Sequence, residues 1–193
     1  MVYSRSCEKA NMGHLSVILG CMFAQKTTEL LRRIRQFKAI GYNVLVINYA
    51  GDTRYGTDKI VSHNTDSYDA LCVTWLQDVT HLVESGTYQA ILIDEGQFFK
   101  DLYQYAVRWA DSKLPIQVVV AGLSGDSNRE PFGDILRLIC HAEETLHLTA
   151  FCAVCKNGTP AHFSKCIKAD KVEQVQIGGA DTYMPVCRVH YTG

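Results

Sequence analysis

The stretch Leu15-Ser16-Val17-Ile18-Leu19-Gly20-Cys21-Met22-Phe23-Ala24-Gln25-Lys26-Thr27-Thr28-Glu29-Leu30-Leu31-Arg32-Arg33 decides the fold. The apolar run Leu15 to Leu19 reads as a buried strand, and Thr28 to Arg33 reads as a helix. The loop between them follows Gly-x4-Gln-Lys-Thr where a phosphate-binding loop has Gly-x4-Gly-Lys-Ser/Thr. In such a loop successive backbone N–H groups point into a concavity that holds phosphates. The lysine neutralises the β- and γ-phosphates, and the next hydroxyl ligates Mg²⁺. Lys26 and Thr27 fill those two roles, and Gly20, Cys21, Met22, Phe23, Ala24 and Gln25 form the cradle for ATP. Gln25 is the departure. Glycine serves where the backbone needs a strained φ or must approach a ligand closely. Glutamine there either crowds the phosphates, distorts the loop at about 1–2 kcal/mol, or points outward from an accessible backbone conformation.

Outward from this loop, strands and helices alternate. Tyr42 to Tyr49 reads as a strand, with Gly41 ending the helix before it. Gly51 to Asp69 is polar and reads as a long loop, followed by a helix over Ala70 to Ser85. Gln89 to Glu95 and Ile116 to Leu123 read as strands, Leu102 to Ser112 as a helix, and Gly133 to His141 as a further helix after Pro131. Nearly continuous apolar strands alternating with helices define an α/β fold, a parallel sheet with helices on both faces. Ligands of such sheets sit beyond the carboxyl ends of the strands. Past His147 the helical periodicity stops, which places a boundary between 1–147 and 148–193.

A second motif, Ile91-Leu92-Ile93-Asp94-Glu95-Gly96-Gln97, ends an apolar strand in acid. Mg²⁺ wants oxygen ligands, which suits Asp94. Glu95 is then available to take a proton from an attacking hydroxyl. Taken alone, such a pair also describes a solvated turn; the phosphate loop upstream favours the metal reading. A third constellation, Cys152-Ala153-Val154-Cys155 with Cys187-Arg188-Val189-His190, has the paired spacing of a structural Zn²⁺ site of Cys3His type. Four protein ligands leave no open position, so this zinc holds structure and does not catalyse.

Composition narrows the function classes. The chain has 193 residues, 47% of them hydrophobic, and a formal net charge of −1. A basic stripe for nucleic acid is missing, and no apolar run approaches the ~20 residues that span a bilayer. The start of the chain lacks the apolar core of a secretory signal, so the expected address is the cytoplasm. There reducing conditions favour metal ligation over disulfides for the eight cysteines.

Together these motifs resemble the thymidine kinase family that includes the human cytosolic, bacterial and poxviral enzymes. The likeness runs from Leu15 to Tyr191. The family's D-T-R-Y is matched by Asp52 to Tyr55, its D-E-G-Q-F-F by Asp94 to Phe99, and its I-G-G-A-x-x-Y by Ile177 to Tyr183. Its K-P-F-G is matched at three of four positions by Glu130 to Gly133, and His190 replaces the fourth zinc cysteine. The resemblance implies a RecA-like P-loop domain and a small zinc-ribbon-like β domain carrying a lasso loop. It implies ATP-dependent phosphorylation of thymidine or deoxyuridine at the 5′-hydroxyl, with Glu95 as general base. Asp52, Arg54, Asp94 and Gln97 join the phosphate and metal chemistry. Met22, Phe98, Leu123, Ser127, Phe132, Ser164, Gln174, Val175, Gln176, Ile177, Gly178 and Tyr183 line the nucleoside pocket. A homo-oligomer, or association with a sister kinase domain, is the implied assembly.

Two departures bear on activity. Gln25 replaces the loop glycine, and Leu123-Ser124-Gly125-Asp126-Ser127 stands where members resemble L-D-G-T-F, so Ser127 replaces an aromatic that faces the nucleoside. Losing such a stacking surface costs roughly 1–3 kcal/mol of affinity. The sequence therefore admits an active kinase with an unusual loop. It also admits an impaired or inactive copy supporting an active sister, as in parasite tandem fusions with one degenerate repeat. A nucleic-acid ATPase with a zinc ribbon is disfavoured by the neutral charge and the lasso motif.

Overall fold

The structure, a computed structural model, describes residues 12–51, 59–61, 67–168 and 181–193. The elements in chain order are β1 (His14–Gly20), α1 (Lys26–Ala39), β2 (Val44–Tyr49), β3 (Lys59–Val61), β4 (Ser67–Asp69), β5 (Leu71–Val73), α2 (Thr80–Glu84) and β6 (Ala90–Ile93). There follow α3 (Leu102–Ala110), β7 (Gln117–Leu123), β8 (Glu144–Leu148), β9 (Ala150–Phe151), β10 (Pro160–Ala161), β11 (Phe163–Cys166), β12 (Tyr183–Val186) and α4 (Arg188–Thr192).

Six strands form one sheet in the order β5-β2-β6-β7-β1-β8, and every pairing in it is parallel. Side chains alternate between the faces because the strand period is two. Val17, Leu19, Ile47, Ile91, Ile93, Val118 and Val120 pack with Leu102, Ala106 and Trp109 of α3 on one face. Ile18, Val46, Leu92, Val119 and Ala121 pack with Leu30, Leu31 and Ile34 of α1 on the other. These strands are buried on both sides, which is why they read as continuous apolar runs. Each fully buried aliphatic side chain contributes about 1.5–3 kcal/mol relative to exposure.

The four expected strands are β1, β2, β6 and β7, and Gly41 takes the left-handed conformation (φ 82) just past α1. The two edges differ from expectation. The single helix expected over Ala70 to Ser85 is instead the edge strand β5, a 3₁₀ turn (Leu76–Val79) and the short α2. Pairing of Leu71 to Val73 with Ile47 to Tyr49 outweighs the local helical reading. β8 was hidden because its outer residues are polar: Glu144, Thr145 and His147 are exposed while the strand pairs with β1. Its last residue, Leu148, falls just past the expected boundary at 147. The helix expected over Gly133 to His141 is a 3₁₀ segment, Ile135–His141. The loop expected over Gly51 to Asp69 contains the antiparallel pair β3–β4.

Beyond β8 the chain switches to short antiparallel pairs, β9 with β10 and β11 with β12. They enclose a small cluster of Cys152, Ala161, Val186 and Cys187, separate from the sheet's two cores. No helix among the described residues is long and apolar enough to cross a membrane.

Candidate active site

β7 lies between β1 and β6. The loop after β1 and the acids after β6 therefore converge over the carboxyl end of β7. The Thr27 hydroxyl donates to Asp94 Oδ2 at 2.9 Å, joining the two motifs directly. Asp94 is 4% exposed, and burial, with the Glu95 charge beside it, pushes its carboxyl up to about 7. The Thr27 hydroxyl and the Lys26 charge oppose that shift. The buried Asp94 carboxyl and the Thr27 hydroxyl against it are oxygen donors of the kind that a hard cation takes.

The phosphate loop has the backbone its glycine pattern calls for. Gln25 sits at φ 66, ψ 28, the left-handed conformation, immediately before α1. Its side chain is exposed and its Oε1 accepts from the Thr28 hydroxyl at 2.8 Å. Of the three sequence alternatives, the structure combines strain in the backbone with a side chain turned outward along the first turn of α1. Lys26 Nζ donates to the Cys21 carbonyl at 2.8 Å, folding the ammonium back across the loop. Gly20 is required by close approach: a Cβ there would lie 2.6 Å from the Leu148 carbonyl oxygen of β8.

Glu95 follows Asp94 with a positive φ of 52, and its N–H donates to Asp94 Oδ1 at 3.0 Å. Gln97, expected among the ATP and metal residues, is 3% exposed and makes two side-chain hydrogen bonds. Its Nε2 donates to Glu95 Oε2 at 2.6 Å, and its Oε1 accepts from the Leu123 N–H at 2.9 Å.

The nucleoside-side residues fall into connected groups. Phe98 stacks on Tyr49 at 5.3 Å and meets Phe132 edge-on at 5.3 Å. Tyr49, not named from the sequence, is the last residue of β2, and an aromatic at the carboxyl end of an apolar strand was the available signal. Ser164 on β11 accepts from the Met22 N–H at 2.9 Å, and the Cys21 thiol donates to the Ala161 carbonyl at 3.4 Å. The second contact was not foreseeable from motif spacing, because it depends on the packing of β10 and β11 against the loop. Ser127 contributes its carbonyl, which accepts from Tyr191 Oη at 2.7 Å. Tyr183 is buried on β12 opposite Cys166. Asp52, Arg54, Gln174, Val175, Gln176, Ile177 and Gly178 lie outside the described residues.

The sulfurs of Cys152, Cys155 and Cys187 and a ring nitrogen of His190 lie within 4.8 Å of one another. His190 Nδ1 is 3.6, 3.3 and 3.3 Å from the three sulfurs in that order, and the Cys155 and Cys187 sulfurs are 3.8 Å apart. A tetrahedral site with Zn–S bonds of about 2.3 Å has S···S edges of about 3.8 Å, so this donor set fits the ion.

A parallel sheet with a phosphate-type loop joined to an acid pair two strands away is the arrangement of a P-loop-like α/β protein and is consistent with a kinase. The family model described as "Thymidine kinase" matches residues 13–191. The vaccinia virus (strain Ankara) thymidine kinase is 40% identical over 184 residues, 95% of this chain and 99% of the viral protein. The human protein named "Thymidine kinase, cytosolic" is 42% identical over 179 residues, 93% of this chain and 73% of the human one. The variola virus thymidine kinase is 40% identical over 182 residues. The chain belongs to the thymidine kinase family.

Proposed function

We propose that the chain transfers the γ-phosphoryl group of ATP to the 5′-hydroxyl of thymidine or deoxyuridine. The Thr27–Asp94 contact carries this reading, because it brings the phosphate loop and the acid pair to one point. Lys26 neutralises charge on the β- and γ-phosphates, and the loop amides orient them. Thr27 and Asp94 would hold Mg²⁺, which supplies charge neutralisation when bound. Glu95 takes the proton as the hydroxyl oxygen bonds to the γ-phosphorus, and the bond to the β,γ-bridging oxygen breaks to release ADP. Tyr49, Phe98 and Phe132 offer an aromatic surface to the base. Cys152, Cys155, Cys187 and His190 would hold a structural Zn²⁺ in a small lobe that begins at about residue 148.

The second reading, a weakened copy that supports an active sister domain or subunit, is favoured by the positive φ at Gln25 and by Ser127. A steady-state assay of thymidine phosphorylation separates the two. Turnover above ~1 s⁻¹, the lower range for kinases, supports the first; binding of ATP or thymidine without turnover supports the second.

A further inference from the structure

Gln97 is buried with each end of its amide committed. We infer that Gln97 is a positioning residue that sets the proton-accepting carboxylate of Glu95 and ties it to the carboxyl end of β7; this rests on the assignment of Glu95 as general base. The orientation of the amide follows from its partners. The Leu123 N–H can only donate, so the amide oxygen must face it, at 2.9 Å. The NH₂ group is thereby turned toward Glu95, and it donates to Oε2 at 2.6 Å.

The surroundings leave the amide little alternative. Gln97 is 3% exposed. A Cβ at Gly122 would lie 2.4 Å from the amide oxygen and 2.7 Å from Ile135 Cδ1, so glycine at 122 makes the seat. The Gly133 backbone packs against the main chain of Gln97, which leaves no room for a Cβ at 133. Glu95 itself is held at φ 52, a conformation that non-glycine residues adopt at a cost of about 1–2 kcal/mol. Local strain at the base is therefore countered by a contact that reaches across to β7. Leu123 begins the loop carrying Ser127, so one side chain links the base to the segment expected to face the nucleoside.

The test is a double-mutant cycle on the full chain with Mg²⁺, ATP and thymidine. Gln97→Met is expected to lower kcat at least about tenfold while the KM for ATP stays within about twofold, since the interaction lost serves the transition state. In a Glu95→Ala background the same change should have no further effect on kcat, because the two groups act as a unit. An equal loss in both backgrounds, or a rise in KM for ATP alone, overturns the inference. A thermal melt of Gln97→Met guards against a folding failure: the positioning role predicts the kcat loss in protein that is folded at the assay temperature, and a merely structural role predicts a loss that only follows unfolding. If the unaltered protein does not phosphorylate thymidine, the kinase reading fails, and crystal structures then decide this inference alone. Gln97→Met should leave the Glu95 carboxylate displaced with the Thr27–Asp94 contact intact. An unmoved carboxylate would refute the positioning role.

Discussion

Gln25 shows how a motif can lose a residue and keep its backbone. Its φ of 66 is the conformation a glycine supplies without cost. Holding a side chain there costs about 1–2 kcal/mol, partly offset because glycine would add unfolded-chain entropy of about 0.4–1 kcal/mol. Gln25→Gly should therefore raise the Tm by no more than about 2–4 °C, the shift expected of ~1 kcal/mol in a chain of this size. A loop freed of strain is also better organised for phosphate, so the KM for ATP should fall several-fold; calorimetry and steady-state kinetics check the two effects. An unchanged Tm would mean that the exposed contact to Thr28 offsets the strain. Ser127 makes a separate case. Its carbonyl anchors Tyr191, so the backbone there is fixed whatever the side chain. Ser127→Phe should tighten thymidine binding by roughly tenfold, in line with stacking of about 1–3 kcal/mol. Equilibrium dialysis with thymidine tests this independently of turnover.

Among the elements, β10 and β11 connect the Cys3His cluster to the phosphate loop. Ala161 and Ser164 receive hydrogen bonds from Cys21 and Met22, and both strands pack in the lobe closed by the four proposed zinc ligands. Metal binding of this kind is folding free energy. Purified protein should contain about one zinc per chain, and its removal by chelator should both lower the Tm and raise the KM for ATP. A normal KM in zinc-free protein would break the link between lobe and loop. The edge strand β8 is joined to α1 by another device. Arg33, 8% exposed, donates to both oxygens of Glu144 at 2.6 and 2.8 Å and to Glu29 at 2.9 Å. Arg33 holds the Glu144 carboxyl below its ordinary 4.5, and Arg32 with Arg33 does the same for Glu29. Groups with depressed folded values stabilise above the unfolded value and lose that stabilisation as pH falls through the folded one. Glu144 is 47% exposed at its side chain, so solvent screening limits its share to below about 1 kcal/mol. Thermal melts between pH 7 and pH 3 should show the gap between wild type and Arg33→Met shrinking below about pH 4.5. A gap constant with pH would assign the effect to packing.

Across the whole molecule, the central sheet and the catalytic edge were legible because each rests on a local signal. Leu15 to Leu19, Val44 to Tyr49, Ala90 to Ile93 and Gln117 to Leu123 announce themselves by burial on both faces, and Thr27 and Asp94 each follow such a run. The edges were not legible. Leu71 to Val73 and Glu144 to Leu148 become strands only because a neighbour offers free backbone groups: the first is only three residues long, and the second is half polar. Tyr49 was hidden for a related reason: its contact is with Phe98, distant in sequence. Gln97 was named from its motif, but its bond from the Leu123 N–H was not, because that partner lies 26 residues further on. The most direct test of the account is transfer of labelled γ-phosphate from ATP to nucleosides by the purified protein and its Glu95→Gln variant. The account predicts that thymidine is phosphorylated, that deoxyadenosine is not, and that the variant is slower by at least about 10²-fold, the lower range for a general base. Absence of thymidine phosphorylation with saturating Mg²⁺ and ATP, or a Glu95→Gln variant as fast as the wild type, would contradict it.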